Sequence, residues 1–131
     1  MDKGTKQFSE EEQIRYSRHF VLPRFGPDAQ LKLKKASVAV IGAGGLGSPV
    51  LLYLAAAGIG FIKIIDNDLV SLSNLQRQIL FSMDDLNKSK AEIAASRITR
   101  LNPMIKIKAI RERIESANAL KLLEDVDVVI D

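Results

Sequence analysis

The sequence predicts an α/β protein: a Rossmann-like open parallel sheet with flanking helices, preceded by an N-terminal helical segment. Three observations lead there. Short β-branched apolar runs alternate with stretches of helical periodicity. The first run, Ser37-Val-Ala-Val-Ile41, is apolar almost throughout, as a strand buried on both faces should be. A glycine-rich turn then joins that run to the helix after it.

Residues 1–8 read as a loose tail. Ser9 with Glu12 forms a capping-box pattern, and Glu10, Glu11 and Glu12 suit a helix N-terminus, so a helix is expected over 10–19. Pro23, Gly26 and Pro27 interrupt the chain. A short helix over 28–35 would place Leu31 and Leu33 near the core. After the first strand, Leu46, Val50, Tyr53, Leu54 and Ala57 recur at helical spacing until Gly58 and Gly60 end the helix. Phe61–Ile65 is the second strand. Residues 67–87 form a long polar connection with one helical turn. Lys90–Leu101 is a helix with Ala91, Ala94, Ile98 and Leu101 on one face, stopped by Asn102-Pro103. A third strand is expected over 105–110, a helix capped by Ser116 up to residue 123, and a fourth strand over 126–130. The chain divides into an N-terminal tail with helices, 1–35, and the first part of a nucleotide-binding sheet, 36–131. Its last residue follows directly on a strand, where a site loop of such a fold would begin, so the sequence reads as truncated after the fourth strand.

The 131 residues suffice for one domain, and 47% apolar content suffices for a core. Net charge is +3, with basic clusters at Lys32, Lys34, Lys35 and at Lys106, Lys108, Arg111, Arg113. No aromatic side chains interleave with them, which argues against a nucleic-acid stacking platform. There is no cysteine, so disulfides, thiolate metal sites and a cysteine nucleophile are excluded together; this agrees with a cytoplasmic protein. The polar N-terminus lacks a signal-peptide core, and the longest apolar run is too short to span a bilayer. His19, the single histidine, reads as a packed or exposed helix residue rather than a base.

Gly42-Ala-Gly-Gly-Leu-Gly47 matches G-x-G-x-x-G between a strand and a helix. Gly42 permits the tight turn, Gly44 leaves room for a phosphate against the backbone, and Gly47 lets helix and strand approach. The helix N-terminus supplies free N–H groups and a positive dipole end. Asp66, at the end of the second strand, can accept from ribose hydroxyls, and Asp68 is a neighbouring candidate for a ribose or metal contact. These features leave NAD, FAD and ATP open. The string Ser71-Leu-Ser-Asn-Leu-Gln-Arg-Gln78 adds Asn74, Arg77 and Gln78 on one side of a helical turn, and Lys90 adds a second cation. Two fixed cations beside a glycine turn suit a triphosphate whose charge shifts during reaction.

Several segments together resemble the ThiF/MoeB family of adenylyltransferases, bacterial relatives of ubiquitin-activating enzymes. They are Arg15-Tyr-Ser-Arg-His19, Leu22-Pro23, Val40-Ile-Gly-Ala-Gly-Gly-Leu-Gly-Ser-Pro49, Tyr53-Leu-Ala-Ala-Ala-Gly58, Ile65-Asp-Asn-Asp-Leu-Val-Ser-Leu-Ser-Asn-Leu-Gln-Arg-Gln78, Lys90-Ala91 and Leu101-Asn-Pro103. The resemblance implies ATP and Mg2+ as cofactors and adenylation of the C-terminal glycine of a ubiquitin-like sulfur-carrier protein, of the thiamine or molybdopterin type. It implies Asp66 at the ribose, with Asn74, Arg77 and Lys90 at the phosphates and Gly42, Gly44 and Gly45 lining the turn. It also implies a homodimer in which Arg18 enters the partner's ATP site. Arg77, Lys90 and Arg18 are then the catalytic candidates. Two departures stand out: Asn87 replaces a glycine of the family pattern, and Asp131 matches only the first acid of a magnesium-linked element. The family's zinc-binding cysteines belong to a C-terminal half beyond this chain. The competing expectations are an NAD- or FAD-binding oxidoreductase domain and a non-catalytic binding or dimerisation fragment.

Overall fold

The computed structural model describes residues 3–131; Met1 and Asp2 of the expected loose tail lie outside the described residues. Four parallel strands form one sheet: β1 (Ser37–Ile41), β2 (Phe61–Ile65), β3 (Lys106–Ile110) and β4 (Val128–Ile130), in the order β3-β2-β1-β4. The order reverses at β1, so the crevice beyond the carboxyl ends of β1 and β4 is a topological switch point. The expected fold class is the observed one.

Among the described residues six α-helices accompany the sheet: α1 (Glu10–Arg15), α2 (Ser17–Phe20), α3 (Gly26–Lys35), α4 (Gly47–Ala57), α5 (Lys90–Leu101) and α6 (Ala119–Leu122). Helices α4 and α5 cover one sheet face. Val38, Val40, Ile62 and Ile64 pack there against Leu51, Ala55, Ala91, Ala94 and Ile98 in one apolar cluster. Each fully buried leucine or isoleucine of that cluster contributes roughly 1.5–3 kcal/mol. The other face carries Ala39, Lys63 and Ile65, all buried, and is covered by α6 and the segments beside it.

Several local expectations need correction. The described part of the tail is not loose: Lys3–Thr5 makes a 3-10 turn and Phe8 is buried. The capping box at Ser9 and Glu12 forms, but the helix expected over 10–19 breaks at Tyr16. There the tyrosine is buried and its hydroxyl accepts from Asn102 Nδ2 at 2.7 Å, a long-range bond that overrides local helix propensity. Helix α3 begins at Gly26 rather than 28, with Pro27 in its first turn, where a missing N–H costs nothing. Its fully buried residue is Gln30, whereas Leu31 and Leu33 are only partly covered. In α4 the buried face is Ser48, Leu51 and Ala55; Leu46 and Tyr53 are 86% and 77% exposed. Leu101 of α5 is likewise exposed. The connection 67–87 holds two 3-10 turns, Leu72–Asn74 and Met83–Asp85. Helix α6 is shorter than expected and starts after Asn118, not Ser116.

Among the described residues no helix is long and apolar enough to cross a membrane.

Candidate nucleotide site

The site lies beyond the carboxyl ends of β1 and β2. Gly42 turns the chain with φ of +90°, a left-handed value that would strain any side-chain-bearing residue by roughly 1–2 kcal/mol. Its N–H donates to the Ile65 carbonyl, tying the turn to β2. Gly47 is required for a different reason than expected. A Cβ there would stand 2.0 Å from the Gly42 carbonyl oxygen, inside the turn itself, while the nearest strand side chain, Val40, is 3.9 Å away. The Ser48 N–H donates to the Gly44 carbonyl and begins α4, whose N-terminal dipole faces the turn.

Asp66 locks this arrangement. One carboxylate oxygen accepts the Ala43 N–H at 2.8 Å and the other accepts the Asp68 N–H at 2.7 Å. The acid therefore joins the glycine turn to the loop after β2. A cleft of about 250 Å³ opens there, lined by Ile41, Gly42, Ile65, Asp66, Asp68 and the segment Glu112-Arg113-Ile114, with Asn67. That last segment escaped the sequence reading; it follows β3 in an irregular stretch with no periodicity to mark it.

Beside the turn lie the residues of the polar string. Asn74 is turned inward on its own segment: its Oδ1 accepts from the Ser71 N–H and the Ser71 hydroxyl, both at 2.9 Å. Its backbone carbonyl accepts the N–H groups of Arg77 and Gln78. Arg77 is exposed, anchored by Nη1 donating to the Ser73 carbonyl at 3.1 Å. Its side chain passes the turn, with Cδ 3.6 Å and Cγ and Nε 3.7 Å from where a Cβ on Gly45 would be. Gln78 is buried, with Nε2 facing Gly44 and Oε1 lacking a protein partner, as does the buried Ser48 hydroxyl. Unsatisfied buried polar atoms next to a glycine turn call for a ligand or ordered water.

Lys90 is buried at the start of α5. Its N–H donates to the Asp68 carbonyl, and its ammonium stands 3.8 Å from the Asp68 carboxylate. Asp68 is exposed and lines the cleft. Asn87 adopts φ of +66°, so the position where the family pattern carries glycine keeps the left-handed turn. Val70 is bonded across it in both directions: its C=O accepts the Asn87 N–H, and its N–H donates to the Lys88 C=O.

Arg18 does not join this group. It is exposed on α2, and α2 packs on α3. Neighbouring His19 meets Gln30 at 2.7 Å, and Gln30 donates to the Ala57 carbonyl at the far end of α4. That end is about 16 Å from Gly47 along the helix. Since Gln30 Oε1 must accept, His19 Nδ1 carries the hydrogen, a structural role in keeping with the reading of His19 as a packed residue.

Among the described residues no three histidine, cysteine, aspartate or glutamate side chains gather to hold a metal. Asp131 follows Ile130, whose register partner is Val40, so it stands beside the base of the glycine turn.

Comparison with known proteins gives one consistent answer. The model of the family described as "ThiF family" matches residues 16–131. The chain is 47% identical over 124 residues to a probable molybdopterin-synthase adenylyltransferase of Porphyra purpurea, covering 95% of this chain and 32% of that one. It is 46% identical over 125 residues to the sulfur carrier protein adenylyltransferase of Thermus thermophilus, covering 95% and 46%. Among solved structures, Escherichia coli tRNA N6-threonylcarbamoyladenosine dehydratase in complex with ATP superposes with a TM-score of 0.84 at 31% identity, covering 89% of this chain and 47% of that one. The chain thus spans about a third to a half of the length of these relatives.

Proposed function

The chain belongs to the ThiF family, and from that premise we propose that it binds ATP across the glycine turn and serves to adenylate the C-terminal glycine carboxylate of a ubiquitin-like sulfur-carrier protein. The observation that carries this reading is the Arg77 side chain lying against Gly45, its Nε 3.7 Å from where a Cβ there would be, with Asp66 bonded to the same turn at Ala43. A pyrophosphate-linked dinucleotide needs the turn and the dipole; the added cations Arg77 and Lys90 fit the heavier charge of a triphosphate.

In this reading the ribose hydroxyls donate to Asp66, with Asp68 alongside, and the nucleoside occupies the cleft walled by Glu112-Arg113-Ile114. The phosphates lie over Gly42, Gly44, Gly45 and Gly47, within reach of Asn74, Gln78, Arg77 and Lys90. The carrier's carboxylate oxygen attacks the α-phosphorus, the bond to the bridging oxygen of the β-phosphate breaks, and pyrophosphate leaves with that electron pair. Arg77 and Lys90 stabilise the charge that moves onto the departing oxygens, and the bound geometry replaces a costly encounter of two anions. Magnesium, when bound, would neutralise part of the pyrophosphate charge. It takes most of its ligands from phosphate and water, which suits a site offering Asp131 rather than a cage of carboxylates.

Asn74 has to release its bonds to Ser71, or use its Nδ2, to reach a phosphate. We assign Arg18 to the site of a second copy, because its own turn lies at the opposite end of α4. The outward face of α4, with Leu46 and Tyr53 exposed, supports a homodimer. ATP–pyrophosphate exchange with a sulfur carrier ending in glycine tests the chemistry. Exchange that requires the carrier's terminal glycine and disappears in Arg77→Ala is expected. ATP binding with no carrier-dependent exchange would remove carrier adenylation and leave a nucleotide-binding module.

A further inference from the structure

Lys63 sits in the middle of β2 with its side chain 3% exposed, an expensive place for an ammonium. Its Nζ donates to the Leu122 carbonyl at 2.7 Å and forms an ion pair with Asp125. Leu122 is the last residue of α6, and Asp125 follows three residues later. The Leu122 N–H in turn donates to the Asn118 carbonyl. Asn118 then reaches back along the chain: its Nδ2 donates to the Arg113 carbonyl at 3.0 Å, and its Oδ1 accepts the Glu115 N–H at 2.7 Å. Arg113 belongs to the wall of the nucleotide cleft. Glu112, its neighbour, lines both that cleft and the separate cleft around Lys63. An unbroken run of bonded groups therefore leads from the buried ammonium to the cleft wall.

We propose that Lys63 is a positioning residue for nucleoside recognition: anchored in the sheet, it holds α6, and α6 through Asn118 sets the Glu112-Arg113-Ile114 wall against which the nucleoside rests. This rests on the reading of that cleft as the nucleoside site. The segment 111–118 holds no helix or strand; besides the Asn118 N–H bond to the Glu115 carbonyl and the Arg111–Glu92 ion pair, it is tied down by the two side-chain bonds of Asn118. An ammonium buried against a half-exposed carboxylate is poor evidence of stability, since a well-packed apolar replacement is commonly as stable; a role in fixing one geometry gives it a reason to be there.

The test compares the wild-type chain with Lys63→Met and Asn118→Ala in two ways. Titration with ATP and with inorganic tripolyphosphate separates the cleft wall from the glycine turn. Both variants are expected to weaken ATP by roughly three- to tenfold, the scale of such couplings, while leaving tripolyphosphate affinity unchanged. The double variant should be no weaker than either single one. Amide hydrogen exchange without ligand reads the linkage directly: the Glu115 N–H is expected to lose protection in Lys63→Met while β1 and β2 keep theirs. Unchanged exchange at Glu115, or equal loss of ATP and tripolyphosphate, would overturn the proposal. A wild-type chain that binds neither ligand would sink the nucleotide reading, and the exchange result would still decide whether Lys63 fixes the wall.

Discussion

Arg77 and Gly47 contribute to the site in opposite ways, one by a charge and one by the lack of a side chain. Removing the guanidinium in Arg77→Ala is expected to raise the Kd for ATP at least about tenfold, the value of a hydrogen bond to a charged group, with the melting temperature unchanged because the side chain is exposed. Calorimetric titration checks this. Gly47→Ala should behave differently. Its Cβ would enter the Gly42 carbonyl, so the turn must shift; a loss of roughly 1–3 kcal/mol of stability is expected by denaturant unfolding, together with weaker ATP binding. Away from the site, Asp85 is buried, and burial pushes its carboxyl up. The Ser82 N–H and hydroxyl and the Arg97 guanidinium outweigh that and hold it below the ordinary 3.8. A lowered acid stabilises the fold above its unfolded value and ceases to do so as pH falls through its folded one. Asp85→Asn should therefore lower the melting temperature at neutral pH, and the gap from wild type should close as pH drops below 3.8. A gap independent of pH would show that the charge is not involved.

At the scale of elements, strands β1 and β2 and helices α4 and α5 were legible because their signals are local: a β-branched run, a glycine pair at a helix end, an asparagine-proline stop. What escaped was set by distant partners. The break at Tyr16 depends on Asn102, 86 residues away, and no window of sequence contains both. The face of α4 was misjudged because the helix is apolar on every side, so periodicity gives it no direction. Within the site, the glycine turn and Asp66 were readable from strand–turn–helix order, whereas the Glu112-Arg113-Ile114 wall is an irregular segment placed by Asn118. The same all-apolar helix yields a prediction. Leu46→Lys with Tyr53→Glu should convert a self-associating protein into a monomer without lowering its melting temperature, since both side chains are largely exposed in the single chain. Sedimentation at several concentrations reads this, and a wild-type chain that stays monomeric throughout would contradict it.

For the whole molecule, the sheet order β3-β2-β1-β4 separates two ends with different tasks. The carboxyl ends gather the glycine turn, Asp66, Arg77, Lys90 and the cleft wall. The amino ends carry the N-terminal helices, with Arg18 exposed on α2. On the proposed function, one chain would present both a nucleotide crevice and, in Arg18, a cation for a second copy's crevice. The fold alone does not choose the nucleotide, because a glycine turn with an acid on the next strand also serves dinucleotides. The most direct measurement is therefore paired titration of the chain with ATP and with NAD, for wild type, Asp66→Ala and Arg77→Ala. The account predicts that ATP binds the wild type and is lost or weakened at least about tenfold in both variants, with NAD weaker throughout. Preferential NAD binding that survives Arg77→Ala would contradict it.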